Sequence, residues 1–313
     1  MRILMFSPND PAGMAAAFSR AINKHTNHSS RSITTLEKYS CGFEKDLHIP
    51  DIEKLSVDIY EERIREIEEL FQKADILHLH TIITDESEIG PFKIKDFVKG
   101  KKVVRHVHGH PLVRSNPDKY RIECQKLKRK VLVSTPDLRL FFPESFWLPN
   151  IVDVNDPLYM PPDEKHEDFT VVQAITNIAL KDTEVLIQAA IKADVKLDLI
   201  MNVSLRECLE RKKKAHVCFD HLRGFYGLSS LESLSQGVPV IANLSDWVKV
   251  NIKEFAETED LPWINCKNVE EISSVFQDRH FFNAIGKASR NFMVNHWSDK
   301  KVVDRLIKFY ETL

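Results

Sequence analysis

Gly224-Phe225-Tyr226-Gly227-Leu228-Ser229-Ser230-Leu231-Glu232-Ser233-Leu234-Ser235-Gln236-Gly237-Val238-Pro239-Val240-Ile241-Ala242 has three parts. A glycine-rich loop opens a short helical pattern. Gly237 stops it. A β-branched apolar run follows, the mark of a strand buried on both faces. Backbone amides at the start of such a helix can hold phosphate oxygens. Two readings of Glu232 fit the residues alone: an acceptor for ribose hydroxyls, or a carboxylate that complements the helix dipole.

The same rhythm extends in both directions. Strands are expected at 2–6, 32–35, 76–80, 103–107 and 130–134, then at 170–175, 197–202, 216–219, 238–242 and 263–265. Helical periodicity fills 14–23, 59–72, 183–192, 205–214, 230–236, 269–276 and 300–312. Alternation of this kind predicts α/β structure with parallel sheets and helices on both faces. A polar stretch with three prolines, 155–168, breaks the periodicity and reads as a linker between lobes. The expected division is 1–153, 154–296 and a terminal helix over 297–313 that packs back on the first lobe. Doubly wound lobes bind ligands beyond the carboxyl ends of their strands, so a cleft between the lobes is the expected site.

Bulk properties narrow the class. The 313 residues suit two domains, and 43% hydrophobic with 29% charged residues is a globular balance. A net charge of −2 supplies no global field to recruit nucleic acid or an anionic membrane. The five cysteines, Cys41, Cys124, Cys208, Cys218 and Cys266, are scattered without C-x-x-C spacing. That argues against a disulfide framework or a cysteine zinc site and fits a cytoplasmic setting. The N-terminal apolar run is short for a signal peptide, and no stretch approaches the ~20 apolar residues of a membrane span.

The quoted string resembles the C-terminal signature of the glycosyltransferase family 4 group, roughly Gly-Phe-Gly-x-x-x-Leu-Glu-Ala-Met-Ala-x-Gly-x-Pro-Val-Ile-Ala. Glu232, Gly237 and Pro239 fall in register with it. The resemblance implies the GT-B fold, two Rossmann-like doubly wound domains facing a cleft. It implies a hexosyltransferase-like enzyme that moves a sugar from a nucleoside diphosphate sugar to an acceptor, with retention of configuration. By resemblance Glu232 anchors the donor ribose, and Tyr226, Gly227, Leu228, Ser229 and Ser230 face the donor's sugar or diphosphate. A second segment, Val171-Val172-Gln173-Ala174-Ile175-Thr176-Asn177-Ile178-Ala179-Leu180-Lys181-Asp182, is similar to the family's strand and phosphate loop. There Lys181 matches the cation that steadies the leaving diphosphate, and Asn177 lies beside the donor. Ile178 stands where the family has Arg and Gly224 where it has a further Glu. Asp220 is a candidate for the missing carboxylate, and Arg206 and Arg223 for the missing cation.

Pro8-Asn9-Asp10-Pro11-Ala12-Gly13-Met14-Ala15 follows the first strand. By resemblance Gly13 lets the backbone approach the donor phosphate, and Asn9 is a candidate acceptor or sugar contact. Val103-Val104-Arg105-His106-Val107-His108-Gly109-His110 gathers histidines with His78 and His80 at two strand ends. A metal site is one reading, and strand-end polar residues without chemistry another. The resemblance assigns no metal and matches His108 to a histidine near the donor sugar. Arg114 would add a cation. Further strings, Val133-Ser134-Thr135-Pro136-Asp137-Leu138 and Trp147-Leu148-Pro149-Asn150-Ile151-Val152-Asp153, are similar to the family's crossing between lobes.

The implied partners are a nucleotide sugar as substrate, with no separate cofactor, and an acceptor that is a glycan, lipid or small molecule. Integral membrane association is not expected. The basic stretch 119–130 reads as a solvated helix face or as a surface for an anionic acceptor, which keeps a nucleobase of DNA as an alternative. Ile178 and Gly224 motivate a further alternative, a degenerate GT-B protein that binds a nucleotide sugar or a partner without catalysis.

Overall fold

The computed structural model describes residues 1–36, 42–81 and 83–313. The chain forms two compact units, Met1–Ile151 with Val302–Leu313, and Val152–Lys301.

In the first unit the elements are β1 (Arg2–Ser7), α1 (Met14–His25), β2 (Ser29–Thr34), β3 (Leu47–His48), α2 (Ile49–Ile52) and α3 (Val57–Lys73). Next come β4 (Ile76–His80), the hairpin β5 (Glu88–Ile89) and β6 (Phe92–Lys93), then β7 (Lys102–Val107), α4 (Pro111–Ser115), α5 (Pro117–Lys126), β8 (Lys130–Val133) and β9 (Phe146–Trp147). Seven strands form one sheet in the order β3-β2-β1-β4-β7-β8-β9, and every pair in it is parallel. β4 and β7 run in register, with His78 opposite Val104 and His80 opposite His106. Helix α1 forms because Met14, Ala15, Phe18 and Ile22 share one apolar stripe, all of it buried.

The second unit contains β10 (Thr170–Ala174), α6 (Thr183–Ala193), β11 (Lys196–Ile200), α7 (Leu205–Lys214), β12 (Val217–Phe219) and α8 (Leu228–Ser235). It continues with β13 (Val240–Ala242), α9 (Asp246–Ala256), β14 (Trp263–Asn265), α10 (Val269–Gln277) and α11 (Phe282–His296). Its five-stranded sheet, β11-β10-β12-β13-β14, is also parallel. Val171, Leu186, Phe219, Ile241 and Phe276 form its core. α8 is buried on most of its surface, with Ser230, Ser233 and Ser235 packed beside Leu231 and Leu234. Against it, α11 approaches through Gly286, where a Cβ would stand 2.5 Å from the Gly237 carbonyl. The last helix, α12 (Asp299–Glu311), passes from the second unit into the first.

Two segments differ from the sequence expectation. The 155–168 stretch is not a free connector along its length. Arg290 donates to the carbonyls of Val154 and Tyr159 at 2.8 and 3.3 Å, and Gln236 donates to that of Leu158 at 2.7 Å. Those bonds fasten its first part to the second unit. The helices α9 and α11 fall in a region where periodicity gave no clear signal. The four described cysteines are free thiols, and Cys41 lies outside the described residues. Among the described residues no helix is long and apolar enough to cross a membrane.

Candidate functional site

The second unit gathers its polar residues around Asp220. The chain leaves β12 at Phe219, so Asp220 sits at the carboxyl end of a central strand, and it is 1% exposed. One carboxylate oxygen accepts from Lys181 Nζ at 2.6 Å. The other accepts from the Gly227 amide at 2.6 Å and the Ser230 hydroxyl at 2.7 Å. Burial opposes the charge, but Lys181, His221 and these hydrogen bonds outweigh it and hold the carboxyl far below the usual carboxylate range. The candidate substitute for the missing Glu is therefore a buried hub that fixes the start of α8.

Lys181 arrives there through a short turn. Asn177 caps the 3-10 turn Ile178–Leu180 by accepting from the Ala179 amide at 3.1 Å. The Lys181 carbonyl accepts from Gln173 at 2.6 Å, and Asp182 accepts from the Leu222 amide at 2.7 Å. Arg223 reaches across to the Ala179 carbonyl at 2.7 Å. Two strand-end loops are thus laced together, and a guanidinium lies over the turn that begins with the exposed Ile178. Arg206 stands apart on the exposed side of α7.

Glu232 is placed differently from its expectation. Its side chain is 7% exposed and accepts from Lys212 Nζ at 2.7 Å. Lys212 is fully buried and also donates to the carbonyl and hydroxyl of Ser229 at 2.9 and 3.1 Å. Burial alone would drive Lys212 toward neutrality, but the Glu232 charge reverses that and raises its pKa. Sequence reasoning missed Lys212. The available signal was its spacing of three from Leu209, on the apolar side of α7. Tyr226 is a core residue: fully buried, with its ring 5.5 Å from that of Trp263 and 5.8 Å from that of Trp297. Its side chain is sealed from a donor, a correction to the reading that placed it there. Gly227, Leu228 and Ser229 remain half-buried at the start of α8.

In the first unit, the loop after β1 is capped from within. Asp10 accepts from the amides of Met14 and Ala15 at 2.8 Å each. Burial raises its pKa to about 6 against the pull of those amides. The first amides of α1 therefore already hold a carboxylate. Gly13 adopts φ 64°, and a Cβ there would meet Phe43 at 2.4 Å, so backbone conformation and packing both demand glycine. Half-buried Asn9 accepts from Ser7 through its carbonyl at 2.9 Å.

The histidines form a ladder over β4 and β7. His78 bonds Tyr310 of α12 and His106, the second at 3.1 Å, and His80 bonds His108 at 2.9 Å. The rings of His80 and His108 stack at 5.1 Å. Burial lowers all four: His78 to about 3, His108 to about 4, His80 and His106 well below their usual value. Asn150 partly offsets this at His108. All four are neutral at physiological pH. Ring nitrogens of His78, His80 and His106 lie within 4.8 Å of one another, a spacing that a metal ion would accept. Arg114 does not project as a free cation, since it donates to Asp137 at 2.5 Å and to the Gly109 carbonyl at 3.2 Å.

Within each unit the predicted residues fall mostly at the carboxyl ends of strands. Lys181, Gly227 and Ser230 come together around Asp220, Asn177 caps the turn that leads to Lys181, and Glu232 faces inward beside them. Asn9, Gly13, His108 and Arg114 belong to the other unit.

Two parallel doubly wound units of this kind define the GT-B fold. Solved structures share it across the chain. Anabaena HepE, in complex with UDP and glucose, matches with a TM-score of 0.67 at 11% identity, covering 100% of both chains. An alpha-glucosyltransferase in complex with UDP and a 13-mer DNA matches with 0.67 at 11%, covering 99% of this chain and 100% of that one. S. aureus TarM, solved with UDP, matches with 0.56 at 14%, and this chain spans 58% of its length. No protein-family profile and no curated protein matches the sequence.

Proposed function

We propose that this chain transfers a sugar from a nucleoside diphosphate sugar, with uridine as the favoured base and with retention at the anomeric carbon. One observation carries the reading: the buried Asp220 aims Lys181 Nζ at the start of α8, where half-buried amides and Ser229 await an anion. Lys181 keeps two further N–H donors for a diphosphate. Arg223, over the turn where the family carries its arginine, supplies the second cation. Stabilising the leaving diphosphate is an electrostatic task, and these groups are fixed before the substrate arrives. In this reading the ribose is held by backbone groups at the start of α8, because Glu232 and Ser229 are both committed to Lys212. The acceptor is a glycan, a lipid or a small molecule. The UDP complexes of the structural neighbours agree with the choice of base.

The test is release of UDP from UDP-glucose and UDP-N-acetylglucosamine, followed by chromatography. Lys181→Met is expected to lower turnover at least about a hundredfold, near the effect of removing one preorganised donor, while circular dichroism stays native. Equal turnover in the variant would overturn the assignment. A second reading, donor binding without catalysis, is favoured by the exposed Ile178 in the arginine position and by the sealed Glu232. It requires UDP-sugar binding with no turnover of either donor.

A further inference from the structure

Two arginines of the first unit are buried without matching acceptors. Alternation along β7 turns Arg105 to the face opposite His106. Its side chain is 2% exposed, and its nearest carboxylate, Glu123, stands 4.0 Å away. Its Nε and Nη1 have no hydrogen-bond partner among the described residues. Arg129 has a side chain 5% exposed, gives Nη2 to Asp85, and leaves a buried Nη1 without a partner among the described residues. A guanidinium does not escape this by losing its proton. Natural folds pair nearly all such groups, so these two permanent cations leave uncompensated positive charge beneath the surface.

A cavity opens beside Arg129, and Arg105 lies behind it without lining it. Arg129 lines a cavity of ≈ 750 Å³ that Arg121, Lys128 and Lys130 also line, with Cys124 and Phe142 as apolar walls. Among the described residues Glu144 is the only carboxylate in the lining, so four cations face one anion there. Lys130 opens β8, which puts the cavity at the amino ends of the strands. The ladder that ends in His108 lies at their carboxyl ends. The two places are therefore distinct.

We propose that this cavity is a second ligand site, taking a small molecule that bears a phosphate or diphosphate group. Arginine forks match phosphate oxygens, and fixed forks lose little freedom on binding. The volume suits a ligand of nucleotide size. The apolar walls accept its organic part, and Lys128 and Lys130 draw it in. A concave site of this size fits a free molecule better than the backbone of a duplex, which needs an extended basic surface.

Calorimetry with pyrophosphate on the full chain at constant ionic strength tests this. Lys181→Met separates the cavity from the proposed donor site. Pyrophosphate is expected to bind both wild type and Lys181→Met, and to bind Arg129→Met at least about tenfold more weakly. The double variant Lys128→Ala with Lys130→Ala, which leaves the buried pairs intact, is expected to weaken binding about three- to tenfold. Absence of pyrophosphate binding in Lys181→Met overturns the proposal. So does unchanged affinity in both cavity variants, or tighter binding of a DNA duplex than of pyrophosphate through the same residues.

Discussion

Lys212 and Glu232 show how one pair of side chains changes the meaning of a motif. In isolation, a glutamate near the start of a helix faces solvent or substrate. Here a lysine from the preceding helix meets it in the core, and three acceptors satisfy the ammonium. Removing one partner of a buried ion pair leaves an uncompensated charge. Lys212→Met is therefore expected to cost about 3–5 kcal/mol in urea unfolding, and Lys212→Met with Glu232→Leu to recover most of that. A loss below about 1 kcal/mol in the single variant would show that the pair does not support α8. Asp220 is a parallel case. Its position after β12 was legible, but its three bonds join residues up to 39 positions apart, which no local pattern encodes. Lys181 was singled out by its resemblance to the family's phosphate loop, because the strand, polar loop and helix around it alone would equally suit a solvated charge. Glu232 kept its register but not its exposure, because exposure depends on a helix that sequence order does not place beside it.

At the scale of the element, the histidine ladder makes β4 and β7 sensitive to acid. The folded pKa values lie below the unfolded value near 6.5, so the unfolded chain binds more protons in that window. Stability therefore rises with pH up to about 6.5 and falls on acidification below it. Each of the three fully buried rings contributes up to about 1.4 kcal/mol per pH unit. Asp10 acts in the opposite sense: its folded pKa is raised to about 6, so its contribution declines as pH rises from roughly 4 to 6. Three histidines outweigh one carboxylate. Denaturant unfolding is expected to show a steep loss between pH 6.5 and pH 4.5, shallower in His80→Phe. Equal stability at both pH values would contradict the burial of the ladder. The strands themselves were readable, because β-branched runs bounded by turn residues mark buried parallel strands. α9 and α11 were not, since their buried faces mix Asn251, Gly286 and Ser289 with apolar residues and blur the period.

Over the whole molecule, the chain order and the compact units do not coincide. The last residues, Val302–Leu313, belong to the first unit. Val302, Val303, Leu306 and Tyr310 are all fully buried, and Arg305 donates to the Trp147 carbonyl at 3.2 Å. Truncation after Lys301 is therefore expected to loosen the first unit and spare the second. Hydrogen exchange would show this as lost protection in β4, β7 and β8 with protection retained in β10 and β12. Unchanged protection in both units would refute it. The two-unit plan was legible because two runs of alternating strands and helices stand either side of a proline-rich break. The docking of the last helix came with the family resemblance rather than from any local signal.

The central claim is a donor diphosphate held by Lys181 at the start of α8. The most direct measurement is thermal unfolding of the wild type and Lys181→Met with a series of nucleoside diphosphates. UDP is expected to stabilise the wild type, by about 2.7 kcal/mol at a hundred times its dissociation constant, and Lys181→Met to lose most of the shift. No stabilisation by any nucleoside diphosphate, or an equal shift in the variant, would contradict it.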